Sequence, residues 1–347
     1  MATKTVETKR MTRQMAAVSL GMLIEYYAGS MRQKNRTPDS IRTNQSTLER
    51  FARFAGGRDV RLNRVTPQVA SAFVDHLQGQ TSKWENHPTR PPTAAPLSPY
   101  TVRKEIKILR GFGHWMEREG FGNPFSRLEI PTVPKELVET LTQEEIHRIL
   151  DTQKPGTVNG ARNLAVVMLM LDSGPRISEV ADLRLAHLNL EDREVKIMGK
   201  GRKERRIPFG QDTAKALMRY ITMFRPEPAQ SGDDHVFLSL DACPMSRNGL
   251  ECIIRRMRES SGVNKLHAHL LRHTFSVNFL AAGGDLETLR RILGHESLEV
   301  TKRYLRGLQD AQVRAKYQEF SPVDRMNLGS RNRRFGQNGV AVKKSAR

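Results

Sequence analysis

A hydroxyl residue followed at once by proline recurs at Thr37-Pro38, Thr66-Pro67 and Ser98-Pro99. Each pair is a helix start with a mechanism. The side-chain oxygen accepts from a backbone N–H of the first turn, and proline at that place forfeits no hydrogen bond because its N–H would lack a helical partner. Together with the stretch before them, these starts predict four helices, over Met11–Ala28, Ser40–Ala55, Thr66–Leu77 and Ser98–Glu119. Met15, Val18, Met22 and Tyr26 read as the apolar side of the first helix, and Leu48, Phe51 and Phe54-Ala55 as that of the second. In the fourth, Val102, Ile106, Leu109 and Phe112 recur at helical spacing, with Arg103, Lys104, Lys107 and Arg110 on a neighbouring side. The pattern restricts this part of the chain to a basic helical bundle.

The charge continues beyond the bundle. The 347 residues hold 57 Lys and Arg against 37 Asp and Glu, a net charge of +20. Residues 1–130 carry 21 basic and 11 acidic side chains, and residues 131–347 carry 36 and 26. The excess is therefore shared, and both parts are suited to a polyanion, most often nucleic acid. Cys243 and Cys252 are the two cysteines, too few for a disulfide framework, which points to a reducing cytoplasm. No apolar run approaches membrane-spanning length and no signal peptide opens the chain, so neither a membrane span nor a membrane partner is expected.

The remaining punctuation divides the chain. Residues 1–11 are polar and read as a flexible N-terminus, 12–130 as the helical domain, 131–139 (with Pro131 and Pro134) as a linker, 140–320 as a second domain and 321–347 as a basic tail. Pro88, Pro91, Pro92 and Pro96 mark residues 81–97 as a long loop. Thr142-Gln143-Glu144-Glu145 carries the capping-box pattern that opens a helix. The second domain reads as an apolar helix over 161–171, strands at 188–190, 194–198 and 205–209, and helices at 213–224, 246–260, 270–282 and 285–293. The fold class expected is mainly α with a small three-stranded antiparallel sheet, an α+β arrangement.

Four clusters of chemically capable residues stand in the second domain: Gly174-Pro175-Arg176-Ile177-Ser178-Glu179, Gly199-Lys200-Gly201, His269-Leu270-Leu271-Arg272-His273, and Leu293-Gly294-His295 with Tyr304 beyond it. Each has an ordinary reading when taken alone. Arg176 can pair with Glu179 at a surface, Lys200 can be a hairpin lysine, and Tyr304 can be core. His269 and His273 share a helical face as a metal pair would, but Arg272 between them repels a cation and no third ligand is spaced to join them.

In this order the clusters resemble the tyrosine recombinases, or phage-type integrases, including the two-domain Xer type. The resemblance spans roughly residues 12–318 and is most specific from Leu270 to Tyr304; Pro175 departs from the leucine or methionine usual before the first arginine. It implies a core-binding (SAM-like) bundle followed by a catalytic domain. The catalytic set it implies is Arg176, Lys200, His269, Arg272, His295 and the nucleophile Tyr304. It also implies a 3′-phosphotyrosine intermediate, a Holliday junction, and four protomers on double-stranded DNA carrying specific sites. No cofactor, metal or ATP is called for, and the expected place is a prokaryotic nucleoid.

The chemistry suits these residues on its own terms. Two guanidiniums can bind the oxygens of a phosphodiester as its negative charge grows under attack. A phenol, once activated, can form a covalent intermediate, and Tyr317 is the nearest rival to Tyr304. Lys200 is the candidate acid for the leaving 5′-oxygen, and His269 and His295 would bond the phosphate and shuttle the nucleophile's proton. Glu179 would orient Arg176 or a histidine. Arg103, Lys104, Lys107, Arg110, Arg202, Lys203, Arg205 and Arg206 are the candidate phosphate contacts. Residues 308–347 are expected to act between protomers. The role expected is integration and excision of a mobile element, with three alternatives open: a dimer resolvase, a type IB topoisomerase-like nicking and closing enzyme, and a non-enzymatic helix-turn-helix regulator built on residues 270–293.

Overall fold

The computed structural model describes residues 18–82, 93–133, 138–199 and 204–307. The chain divides into two compact units, Met1–Lys135 and Glu136–Arg347.

The first unit is built on four helices: α1 (Leu20–Gln33), α2 (Pro38–Phe54), α3 (Pro67–Gly79) and α4 (Pro99–Arg118). The hydroxyls of Thr37, Thr66 and Ser98 accept from the N–H groups of Ser40, Val69 and Thr101, which closes the last three as their starts predict. The core is aromatic. Phe51 meets Phe73 and Phe125 edge-on, at 5.2 and 5.1 Å between ring centroids, and Tyr27 leans on Phe112 and Trp115. The first helix corrects the sequence reading. Ser19 caps it, and its buried side is Leu20, Leu23, Ile24, Ala28 and Met31, while Met22 and Tyr26 are 51% and 67% exposed. Two apolar stripes run along this helix, and the wider one wins the core because it buries more surface. Met15 lies outside the described residues.

The second unit opens with α5 (Gln143–Asp151), whose first turn carries the full capping box between Thr142 and Glu145. Next come α6 (Val158–Ser173), the single turn α7 (Ile177–Ala181), and the antiparallel sheet β1 (Leu188–Asn189), β2 (Glu194–Met198) and β3 (Glu204–Pro208). Val195 pairs with Ile207 on the buried face of the sheet. The helices α8 (Gln211–Arg219), α9 (Arg247–Ser261), α10 (Ala268–Ala281), α11 (Leu286–Leu293) and α12 (Leu298–Lys302) follow. The expected helix over 213–224 is α8 plus a wider π-type turn, Tyr220–Phe224, with the Tyr220 hydroxyl accepting from the N–H of Leu238. Helices α6 and α10 are apolar on most sides and pack together in the middle of the unit.

Two glycines end helices next to the future site. Gly174, after α6, has φ 61°, and Gly294, after α11, has φ 63°. A Cβ on Gly174 would stand 2.4 Å from Cδ1 of Phe275. Gly174→Ala therefore combines left-handed strain with overpacking, together about 2–4 kcal/mol. A urea unfolding midpoint should fall accordingly; a midpoint equal to wild type would show that this turn relaxes freely.

Candidate nucleic-acid cleavage site

The end of α6 and the start of α7 form one sharp turn that presents Arg176. Its backbone N–H donates to Oε2 of Glu179 at 2.7 Å, and its guanidinium donates to Oε1 at 3.0 Å. Arg205, on β3, donates to the same two oxygens at 3.0 and 2.8 Å and to the carbonyl of Ile292 at 2.9 Å. Glu179 is thus a buried hub that fixes one arginine with another. Burial pushes its carboxyl up, but the hydrogen bonds and charges of Arg205 and Arg176 outweigh this, so it ends below the usual carboxylate range. The Arg176 side chain stays 37% exposed and lines a cavity of about 720 Å³.

Arg272, in the second turn of α10, is 2% exposed. It donates to the carbonyls of Gly174 and Leu293, the latter at 2.7 Å, and to Nε2 of His295 at 3.1 Å. Burial, with the Arg176 charge next, draws its guanidinium down to about 10, which leaves it charged at neutral pH. An arginine only donates, so His295 Nε2 is an acceptor and its proton sits on Nδ1, which donates to Oγ1 of Thr301 at 2.9 Å. Burial, then the charges of Arg272 and Arg176, hold His295 down at about 4.

Tyr304 follows α12 in a short 3-10 turn, Arg303–Gly307, and is 2% exposed. Its ring lies parallel to that of His295, with centroids 6.3 Å apart. Its hydroxyl is 3.2 Å from Nδ1 of His273. The guanidinium of Arg303 stands 5.4 Å over the phenol ring and donates to Nε2 of His273 at 3.2 Å. His269 and His273 stack at 5.5 Å. Burial and the nearby Arg272 lower His269 as well. Among the described residues no group of three His, Cys, Asp or Glu side chains could hold a metal ion.

The structure thus brings together Arg176, Arg272, His295 and Tyr304, with His269 beside Arg176 on the cavity wall and Glu179 behind it. Lys200, Arg202, Lys203 and Tyr317 lie outside the described residues, as do residues 308–347. Of the phosphate-contact candidates, Lys104, Lys107 and Arg206 are exposed, the last paired with Glu194; Arg103 and Arg110 are half-buried, and Arg110 donates to the Leu128 carbonyl. Arg205 needs correction: its side chain is only 12% exposed because Glu179 and Ile292 occupy it. His273, read in the sequence as no more than the helical neighbour of His269, lies against the Tyr304 hydroxyl. The helix expected over 246–260 is α9, but its Arg247, Arg255 and Arg258, which line the cavity with Arg176, are not among the expected contacts.

With this geometry in hand, comparison with known proteins is direct. The chain matches the phage integrase family over residues 139–310 and the phage integrase SAM-like domain over residues 22–114. It is 31% identical over 297 residues to tyrosine recombinase XerC of Oceanobacillus iheyensis, covering 84% of this chain and 92% of that protein. It is also 31% identical over 280 residues to tyrosine recombinase XerD of Xanthomonas campestris, covering 78% and 81%. In fold it is similar to the Tn1549 transposon integrase in complex with transposon right end DNA, with TM-score 0.68 and 17% identity over 88% of this chain and all of that one. The chain belongs to the phage integrase family of tyrosine recombinases and is accordingly a DNA strand-transferring enzyme. That excludes the regulator reading.

The lowered histidines fix the sign of a pH effect. His273 and His295 sit at about 4 against an ordinary 6.5, so on acidification the unfolded chain takes up protons before the folded one. Folding stability should fall as pH drops from about 6.5 toward about 4, and further as the lowered Glu179 is protonated. Urea midpoints at pH 7 and pH 5 check this. His273→Phe and His295→Phe should each flatten the dependence, and an unchanged slope in both would contradict the burial argument.

Proposed function

We propose that the chain cuts and rejoins DNA at specific sites through a covalent bond between Tyr304 and a 3′ phosphate, passing strands between duplexes through a Holliday junction. The observation that carries this reading is the convergence of two guanidiniums from different elements, Arg176 and Arg272, with two neutral histidines and a phenol. A phosphodiester gains negative charge on its non-bridging oxygens as it is attacked, and fixed cations in a dry site stabilise that charge without reorganising. In the step proposed, Tyr304 Oη bonds to phosphorus and the bond from phosphorus to O5′ breaks. The phenol's proton passes to His269, because Nδ1 of His295 already carries its proton and Nε2 accepts from Arg272. Lys200 protonates the departing O5′, leaving a 3′-phosphotyrosine and a free 5′-hydroxyl. The phosphodiester bond energy is kept, so another 5′-hydroxyl reverses the step without ATP.

DNA would lie on the cavity lined by Arg176, Arg247, Arg255, Arg258, His267 and His269, with α9 against the duplex. Lys104 and Lys107 of the first unit add phosphate contacts. Tyr304 is covered in this structure, and binding DNA would uncover it. Four protomers, with residues 308–347 passing between them, would complete strand exchange.

The biological role we infer is integration and excision of a mobile element. The alignment that takes in 92% of the Oceanobacillus relative leaves 16% of this chain outside it, so the chain carries additions to the shared core. The names of its curated relatives, XerC and XerD, favour a second reading, dimer resolution. Plasmids bearing the DNA that flanks the gene distinguish the two: the first role gives excision or integration at element ends, the second resolution of a dimer.

Tyr304→Phe should abolish covalent adducts on substrates nicked beside the cleavage phosphate while leaving DNA affinity nearly unchanged. Adducts that persist in this variant and vanish in Tyr317→Phe would move the nucleophile. Arg176→Ala and Arg272→Ala should each slow cleavage by roughly a hundredfold or more, since a lost oxyanion contact costs about 3 kcal/mol.

Lys200→Ala should fail on the natural 5′-oxygen and recover on a bridging 5′-sulfur, which leaves without a proton. Equal activity of the variant on both substrates would reduce Lys200 to a phosphate contact.

A further inference from the structure

The nucleophile candidate touches a histidine that neither the sequence motif nor the proposed proton route uses. His273 stands one turn along α10 from His269, with Nδ1 3.2 Å from the Tyr304 hydroxyl and Nε2 3.2 Å from Nη2 of Arg303. Guanidinium nitrogen has no acceptor capacity, so the Arg303 contact requires a bare Nε2. A neutral imidazole then carries its one proton on Nδ1, where it can only donate to the phenolic oxygen. The environment keeps the ring neutral: burial, and after it the charge of Arg303, lower His273 to about 4. Stacking on His269 fixes the plane of the ring.

We propose that His273 is a further residue of the cleavage site, in which Arg303 sets its tautomer so that Nδ1–H donates to Tyr304 Oη, holding the nucleophile and stabilising the negative charge that forms there as the phenol loses its proton. The role is distinct from that of a base. With Nδ1 already protonated, His273 takes no proton from the phenol, and that proton leaves by the route given to His269. The same contact keeps Tyr304 folded against the site before DNA arrives, in line with its 2% exposure. Arg303 adds to this in two ways, through the tautomer and through its charge over the phenol ring.

The catalytic part of this proposal rests on Tyr304 being the nucleophile, and the test separates the two. In the full-length, DNA-free protein labelled with ¹⁵N-histidine, the His273 resonances are assigned by their loss in His273→Asn. The expected result is a protonated Nδ1 and an unprotonated Nε2, with that preference weakened in Arg303→Met. On nicked substrates, His273→Phe, which keeps the ring and its stacking, should form adducts at least about tenfold more slowly at unchanged DNA affinity. His273→Asn, whose amide N–H can replace Nδ1–H, should recover to within about threefold of wild type. Protonation at Nε2, a His273→Phe as fast as wild type, or a His273→Asn as slow as His273→Phe each overturns the proposal. Should wild type form no adduct through Tyr304, the recombination chemistry fails, while the tautomer measurement still decides the contact.

Discussion

The arrangement of the catalytic unit depends on one buried charge. Moving a guanidinium out of water costs several kcal/mol unless its N–H groups are paired and the surroundings are negative. Arg272 meets both conditions through main-chain carbonyls. Leu293 is the last residue of α11 and Gly174 immediately follows α6, so both oxygens belong to helix C-terminal ends, where backbone dipoles leave partial negative charge. Three helices are thereby tied at one point, and the residues just past the two ends, Arg176 and His295, are delivered to the same place. The left-handed turns at Gly174 and Gly294 make the approach possible, since a side chain at either would meet Phe275 or Arg205.

A second hub sits behind the first. Glu179 balances Arg176 and Arg205, so one carboxylate faces two guanidiniums and a third lies nearby in Arg272. One carboxylate among three guanidiniums leaves the site with surplus positive charge. The surplus appears in the histidines: His269, His273 and His295 are all lowered by burial and by arginine charges. Neutral imidazoles can accept or relay a proton at pH 7, which imidazolium cannot. One electrostatic design would therefore serve both halves of the proposed chemistry, binding the anion and moving a proton.

Legibility in the sequence followed the range of each interaction. The hydroxyl-proline starts and the capping box at Thr142 were readable because a cap is closed within four residues. The strand pair holding Val195 and Ile207 was readable from its alternation. Met22 and Tyr26 share a helical face on α1 that the fold leaves exposed, because spacing reports a face and not what covers it. Arg205 read as a surface cation because its partner Glu179 is 26 residues away and the Ile292 carbonyl 87. His273 was visible only as the neighbour of a motif, since its tie to Tyr304 spans 31 residues. Arg176, Arg272, His295 and Tyr304 were legible from motif order, and their convergence came from the fold.

The most direct measurement is chemical mapping of the covalent complex. Wild-type protein trapped on nicked DNA is digested with protease, and the nucleotide-bearing peptide and the DNA ends are identified by mass spectrometry. The account predicts a nucleotide joined through its 3′ phosphate to Tyr304, in the peptide following Arg303, and a free 5′-hydroxyl on the released strand. Attachment to another residue, or a link through a 5′ phosphate, would contradict it.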